Sequence, residues 1–218
     1  MRGIIILIDI IKRLINLKKM YHYSIPMDII KIHHYKQEPF LILINNKNPI
    51  ESIITEQTYK PEIITVLLDF KELYGEHPVL IDMVEETPFF SFYANSIGYK
   101  VLNVSSKNKD LFDKCSLINN VTIEREIDPL LFNNFLKKKK YASVLIIDNI
   151  KKLKYCKRPL KTGYIENIIV IGSTQIYDFD LEAELHRFNY KKQIITKEIT
   201  LFKNVYAKKK SPITVFFD

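Results

Sequence analysis

The chain has 218 residues, of which 47% are hydrophobic and 27% charged, with a net charge of +8 and a pI near 9.2. That length supports one full-sized core and argues against a second independent domain, and the composition excludes a disordered, low-complexity or repeat chain. The positive excess suits nucleic acid, anionic lipid or acidic partners. Because Ile, Lys and Asn are abundant throughout, it also reads as general compositional drift.

The first residues, Met1–Ile11, are apolar but carry Asp9 and run into Lys12 and Arg13, which is too short a run to span a bilayer. Ile4, Ile8, Ile11 and Ile15 share one helical face, so an amphipathic helix to about Lys19 is predicted. Short extended pieces follow. A strand is expected at Phe40–Ile44, before the turn cluster Asn45–Asn48. Residues 1–48 therefore read as an N-terminal helix and short strands packed on a core formed by residues 49–218. With no transmembrane run and no signal-cleavage site, an intracellular, cytoplasmic protein is expected.

Pro61 sits where a helix would begin, Ile63, Ile64, Leu67, Leu68 and Phe70 keep helical spacing, and Gly75 ends the segment. From residue 78 strands and helices alternate. Strands are predicted at Val79–Met83, Lys100–Val104, Val121–Glu124, Ser143–Ile147 and Asn167–Ile171. Helices are predicted at Phe89–Ile97, Asp110–Ile118, Pro129–Lys139 and Asp180–Phe188, with a poorer one near Ile150–Tyr155. Such alternation implies a mostly parallel sheet with helices on both faces. The runs Val144–Ile147 and Ile168–Ile171 suit strands buried on both sides. Gln193–Ile199 and Ile213–Phe217 are expected to form an antiparallel C-terminal hairpin at the sheet edge.

The two cysteines, Cys115 and Cys156, are far apart and in no metal-binding spacing, and the five histidines form no metal motif, so neither a disulfide nor a metal site is expected. No Ser-His-Asp order and no phosphate-binding glycine loop can be assigned.

One constellation stands out. Ile81-Asp82 closes an apolar strand. Phe89–Ala94 then reads as a helix, and Gly98-Tyr99-Lys100-Val101 opens the next strand. Further along stand Leu117–Val121 with its paired asparagines, Leu145-Ile146-Ile147-Asp148, Ile165–Val170 and Phe188-Asn189-Tyr190. In this order the chain resembles the class I methyltransferases that use S-adenosylmethionine, and most of all the FkbM-type family, over roughly Ile50–Ile199. The resemblance implies an α/β, Rossmann-like seven-stranded methyltransferase sheet, mostly parallel with an antiparallel C-terminal hairpin and helices on both faces. It also implies S-adenosylmethionine as cofactor if the protein is active, and none otherwise.

The resemblance places the cofactor-binding positions at Asp82, Val84, Glu86, Pro88, Ser105 and Asp148. Several depart from the family's pattern. Val84 and Pro88 stand where the family's first turn, Asp-x-Gly-x-x-x-Gly, carries glycines. Valine resists positive φ and proline has no N–H to offer. Glu85 and Glu86 bring negative charge to the place where the cofactor's carboxylate would lie. Ser105-Ser106 replaces the acidic residue that binds the ribose, and Asp148 is followed by Ile150 and Lys151 instead of Glu and Gly. Asp82 and Asp148 also read as simple caps of the segments that follow. Thr87-Pro88 suits a helix start, Thr as N-cap and Pro at the first helical position.

Two basic runs complete the inventory. Lys151, Lys152, Lys154, Lys157, Arg158 and Lys161 follow the Asp148 strand with Tyr155 and Tyr164 interleaved, and Lys137–Lys140 end a predicted helix. They read as solvated surface, or as a weak contact to nucleic acid or another anionic surface. The sequence thus leaves open a divergent methyltransferase acting on an unknown acceptor, a non-catalytic relative or pseudoenzyme serving as a binding or scaffold protein, and a basic nucleic-acid-associated domain.

Overall fold

The computed structural model describes residues 27–33, 39–45, 53, 56, 58–75, 78–104, 109–126, 142–172 and 179–205. The elements in chain order are β1 (Met27–Ile32), β2 (Phe40–Asn45), α1 (Pro61–Tyr74), β3 (Val79–Met83), α2 (Phe89–Ser96), β4 (Lys100–Val104), α3 (Lys109–Asn119) and β5 (Glu124–Glu126). They continue with β6 (Ala142–Ile147), a 3-10 helix (Ile150–Cys156) leading into α4 (Lys157–Lys161), β7 (Ile165–Ile171), α5 (Phe179–Arg187), β8 (Tyr190–Ile194) and β9 (Ile199–Asn204).

Seven strands form one sheet in the order β5-β4-β3-β6-β7-β9-β8. Neighbours from β5 to β7 pair in parallel, and β9 alone runs against both β7 and β8. The chain moves outward from β3 through β4 to β5, then returns to β6 on the other side. The carboxyl end of β3 is therefore the topological switch point, where open α/β sheets hold their ligands.

Side chains alternate between the two faces, as strand geometry requires. Leu80, Val101, Val144, Ile146, Ile169 and Leu201 face one core with Leu67 of α1, Phe89 and Tyr93 of α2 and Phe112 of α3. Ile81, Leu102, Leu145, Ile147, Ile168 and Phe202 face the other, with Leu153, Cys156, Leu160 and Leu185. Strands β6 and β7 are buried along their whole length, which explains the apolar runs Val144–Ile147 and Ile168–Ile171 within them. No helix among the described residues is long and apolar enough to cross a membrane.

Three local departures from the sequence reading have physical causes. The expected strand at Val121–Glu124 forms at Glu124–Glu126, because Asn120 takes a left-handed φ of 54° and Val121 N–H bonds back to Ser116 O at 3.1 Å. The poorer helix is a 3-10 turn capped by Asn149, whose side chain accepts from Lys151 N–H at 2.9 Å. Pro159, in the first turn of α4, has no N–H to bond the Tyr155 carbonyl, so the hydrogen-bond ladder is interrupted where the 3-10 segment meets α4. The hairpin is β8–β9. The run Gln193–Ile199 straddles its turn, where Glu198 N–H bonds Thr196 Oγ1 at 3.2 Å and Ile195 N–H bonds Ile199 O at 2.9 Å. The N-terminal helix, the helix expected at Pro129–Lys139 and the run Ile213–Phe217 lie outside the described residues.

The antiparallel pair β1–β2 packs on α2 and α3 through Phe40, Ile42 and Leu43. Asn119, the last residue of α3, imitates a strand partner there. Its Oδ1 accepts from Leu41 N–H at 2.7 Å, and its Nδ2 donates to Leu41 O and Cys115 O, both at 2.7 Å. Asn119→Ala leaves both peptide groups of Leu41 without that partner. It is expected to cost about 2 kcal/mol, or roughly 4–8 °C in Tm. A melting temperature unchanged by the substitution would show that water replaces the side chain at no cost.

Candidate functional site

Asp82, the fourth residue of β3, is completely buried. Its Oδ1 accepts from Val84 N–H at 3.0 Å, forming an Asx turn, and its Oδ2 accepts from Ser91 Oγ of α2 at 2.6 Å. Ser91 Oγ in turn accepts from Asn103 Nδ2 of β4 at 3.0 Å. Burial pushes the Asp82 carboxyl up to about 6, with the Ser91 and Val84 hydrogen bonds pulling downward and the charge of Asp148 adding upward pressure.

The turn after Asp82 contains no left-handed residue. Val84, Thr87 and Pro88 are buried, and the turn's hydrogen bonds run inward. Glu85 N–H donates to Asp148 Oδ2 at 2.8 Å, and Phe89 N–H donates to Thr87 Oγ1 at 3.2 Å. The structure makes Pro88 the N-cap and Phe89 the first residue of α2, so Thr87 stands one position before the cap expected of it, its hydroxyl accepting from the first helical N–H. Glu85 lines a cleft, whereas Glu86 accepts a hydrogen bond from Tyr59, whose ring packs on Phe89 and Phe90. Burial, then the bond to Glu86, raises the Tyr59 phenol far above its ordinary range, so it stays protonated.

Asp148 directly follows β6 and faces the same crevice. Lys152, one turn on, reaches back into it. Its Nζ donates to Met83 O at 2.6 Å and lies 2.6 Å from Asp148 Oδ1 and 3.4 Å from Glu85 Oε1. The Lys152 side chain is only 16% exposed. The ammonium is therefore a built-in cation at the end of β3, held by one peptide carbonyl and two carboxylates. Beside it opens a cleft of about 320 Å³ lined by Met83, Glu85, Val104, Asn149, Lys151, Lys152, Lys154 and Tyr155. These residues come from the carboxyl ends of β3, β4 and β6, so the cleft occupies the switch point.

Asp82, Val84, Pro88 and Asp148 thus gather around the β3 turn, Glu86 points to Tyr59, and Ser105 lies outside the described residues. Sequence reasoning passed over Met83 and Val104 as site residues, named Tyr155 only beside the basic run, and took Lys152 for one lysine of that run, solvated or in weak anionic contact. The signal for Lys152 was its i,i+4 spacing from Asp148 immediately past a strand end. Among the described residues, no group of three or more metal-ligating side chains converges.

This strand order, with the penultimate position of the sheet reversed, is the fold of class I S-adenosylmethionine-dependent methyltransferases. Solved structures agree. The T. thermophilus 16S rRNA N2 G1207 methyltransferase, in complex with AdoMet and guanosine, superposes with a TM-score of 0.57 at 9% identity over 84% of this chain and 51% of that one. A SAM-dependent methyltransferase from Agrobacterium tumefaciens superposes with a TM-score of 0.52 at 12% identity, covering 83% of this chain and 70% of its own. The chain spans about half the length of the Thermus enzyme. No protein-family model matches the chain, and no curated protein matches it in sequence.

Asp82 supplies a test of the site's electrostatics. Its folded-state pKa of about 6 exceeds the ordinary aspartate value of 3.8, so between the two the folded protein keeps a proton that the unfolded chain has lost. This group's stabilising contribution is full below about pH 4 and is lost as pH rises through about 6. Asp82→Asn removes that loss, amounting to about 3 kcal/mol. Denaturation midpoints should therefore favour the variant increasingly from pH 4 to pH 7. A constant difference across that range would refute the raised carboxyl.

Proposed function

We propose that this chain is a divergent methyltransferase-fold domain, FkbM-like in the order of its motifs, that serves as a non-catalytic binding protein. The observation that carries this reading is the state of the β3 turn. The donor's methionine end needs peptide N–H groups for its carboxylate and oxygen acceptors for its ammonium. Here the N–H groups of Val84, Glu85 and Phe89 are bonded within the protein, and Pro88 has none. Lys152 already holds the Met83 carbonyl, Asp148 and Glu85. The residues of the crevice do not fit S-adenosylmethionine, and no chemical step is derived through it.

The unit of residues 1–48 is assigned an accessory role beside the domain of residues 49–218, which the packing of β1–β2 on α2 and α3 supports. An intracellular location accords with Cys115 and Cys156, both free and buried. Burial pushes each thiol up to about 12, which keeps them inert.

Isothermal titration tests the reading. S-adenosylmethionine and S-adenosylhomocysteine are expected to give no binding heat up to millimolar concentration. Micromolar affinity for either, weakened by Ser105→Ala, would instead establish a working donor site and overturn the non-catalytic assignment.

A further inference from the structure

We infer that the switch-point cleft binds a phosphorylated nucleotide, with the phosphate on Lys151 and Lys154 and the base against Tyr155. The inference deepens the preceding reading and rests on it in one respect, that the crevice is not committed to a methyl donor.

Three features of the cleft converge on this chemistry. The first is charge. The inner part holds Glu85, with Asp148 behind it, against the single ammonium of Lys152, so it carries an excess negative charge. A bare anion would be repelled from there. Lys151 and Lys154 reverse the sign at the rim. Both are exposed, and neither pairs with a carboxylate among the described residues. An anionic group is therefore favoured at the mouth, and a neutral or hydrogen-bonding group further in.

The second feature is the wall. Met83 and Val104 are apolar and nearly fully buried at the base of the cleft, and Tyr155 is half-buried beside them. Lys154 Nζ lies 4.9 Å from the centroid of the Tyr155 ring. The Lys154 ammonium covers one face of the ring, and in this inference the opposite face stacks a planar base while Lys151 and Lys154 pair with its phosphate. An anion without an aromatic part would leave Tyr155, Met83 and Val104 unused.

The third is position and size. The cleft sits outside the carboxyl ends of three parallel strands, and about 320 Å³ lies at the small end of ordinary ligand sites. That accommodates one nucleotide unit and not a dinucleotide. The same chemistry can come from a free nucleotide or from the phosphorylated end of a nucleic-acid strand.

The full chain titrated with ADP, adenosine, inorganic phosphate and a short 5′-phosphorylated RNA oligonucleotide separates these cases. ADP is expected to bind at least about tenfold more tightly than adenosine or phosphate alone, with affinity falling as salt is raised. The double variant Lys151→Glu, Lys154→Glu should lose about tenfold or more while keeping the wild-type melting temperature, since neither lysine holds the fold together. Tyr155→Leu should weaken ADP and adenosine by similar factors. Stronger binding of the oligonucleotide than of ADP assigns the site to a strand end, and the reverse order assigns it to a free nucleotide.

Absence of ADP and oligonucleotide binding at millimolar concentration overturns the inference, as does binding indifferent to the lysine pair. The two readings fail separately. Binding of S-adenosylmethionine that does not compete with ADP would sink the non-catalytic assignment alone, and binding of neither would sink the nucleotide site alone.

Discussion

A carboxylate with no access to water has to find its hydrogen bonds inside the protein, and those of Asp82 arrange everything around it. One oxygen fixes the turn by accepting from Val84 N–H, and the other receives the Ser91 hydroxyl from the first turn of α2. Through Ser91, Asn103 brings β4 into the same network. Strand, turn, helix and neighbouring strand are thus tied at one point. This also explains how the turn dispenses with glycine. The Asx bond reverses the chain with ordinary backbone angles, so Val84 can occupy the place as a buried core residue.

The second layer of the crevice follows from electrostatic necessity. Asp148 and Glu85 are brought together because Glu85 N–H donates to the Asp148 carboxylate. Two neighbouring carboxylates repel by about 1 kcal/mol at 4 Å in water and by several times that near a protein surface, so a cation between them is strongly favoured. The 3-10 helix delivers it. The Asn149 cap starts that helix immediately after Asp148, and one turn later Lys152 stands over the end of β3. The ammonium offsets part of that negative charge from within, and the Met83 carbonyl is used in the process.

Legibility in the sequence tracked how local each cause was. The β3, β4, β6 and β7 strands were readable because burial on both faces selects mostly apolar runs, even with buried polar residues such as Asp82, Asn103 and Asn167 among them. The Pro61 helix was readable because its start and stop are written in Pro61 and Gly75. The C-terminal hairpin was misplaced because Ile194, Ile195 and Ile199 look continuous in β propensity, while the hydroxyl of Thr196 turns the chain between them. The bracing role of Asn119 could not be read, since its partner Leu41 is 78 positions away. At the site, Asp82 and Asp148 were legible as strand-end acids. The role of Lys152 was not, because a lysine among lysines reads as surface until the fold shows which one turns inward. The split of Glu85 from Glu86, one into the cleft and one to Tyr59, depends on a turn geometry that neither residue encodes alone.

These layers are coupled, which bears on what it would take to alter the crevice. Glycine restored at 84 and 88 would free backbone angles but leave the Met83 carbonyl engaged by Lys152. Loss of Lys152 alone would release the carbonyl and leave Asp148 facing Glu85 with no cation between them, a costly arrangement at a quarter exposure each. Neither change restores a donor cradle unaided. Each single step therefore carries a penalty without a gain, and the crevice is held in its present chemistry by mutual support among residues on three strand ends. The rim lysines are outside that lock. They hold no carboxylate of the floor, so under the proposed reading the mouth of the cleft can change its ligand preference while the floor stays fixed.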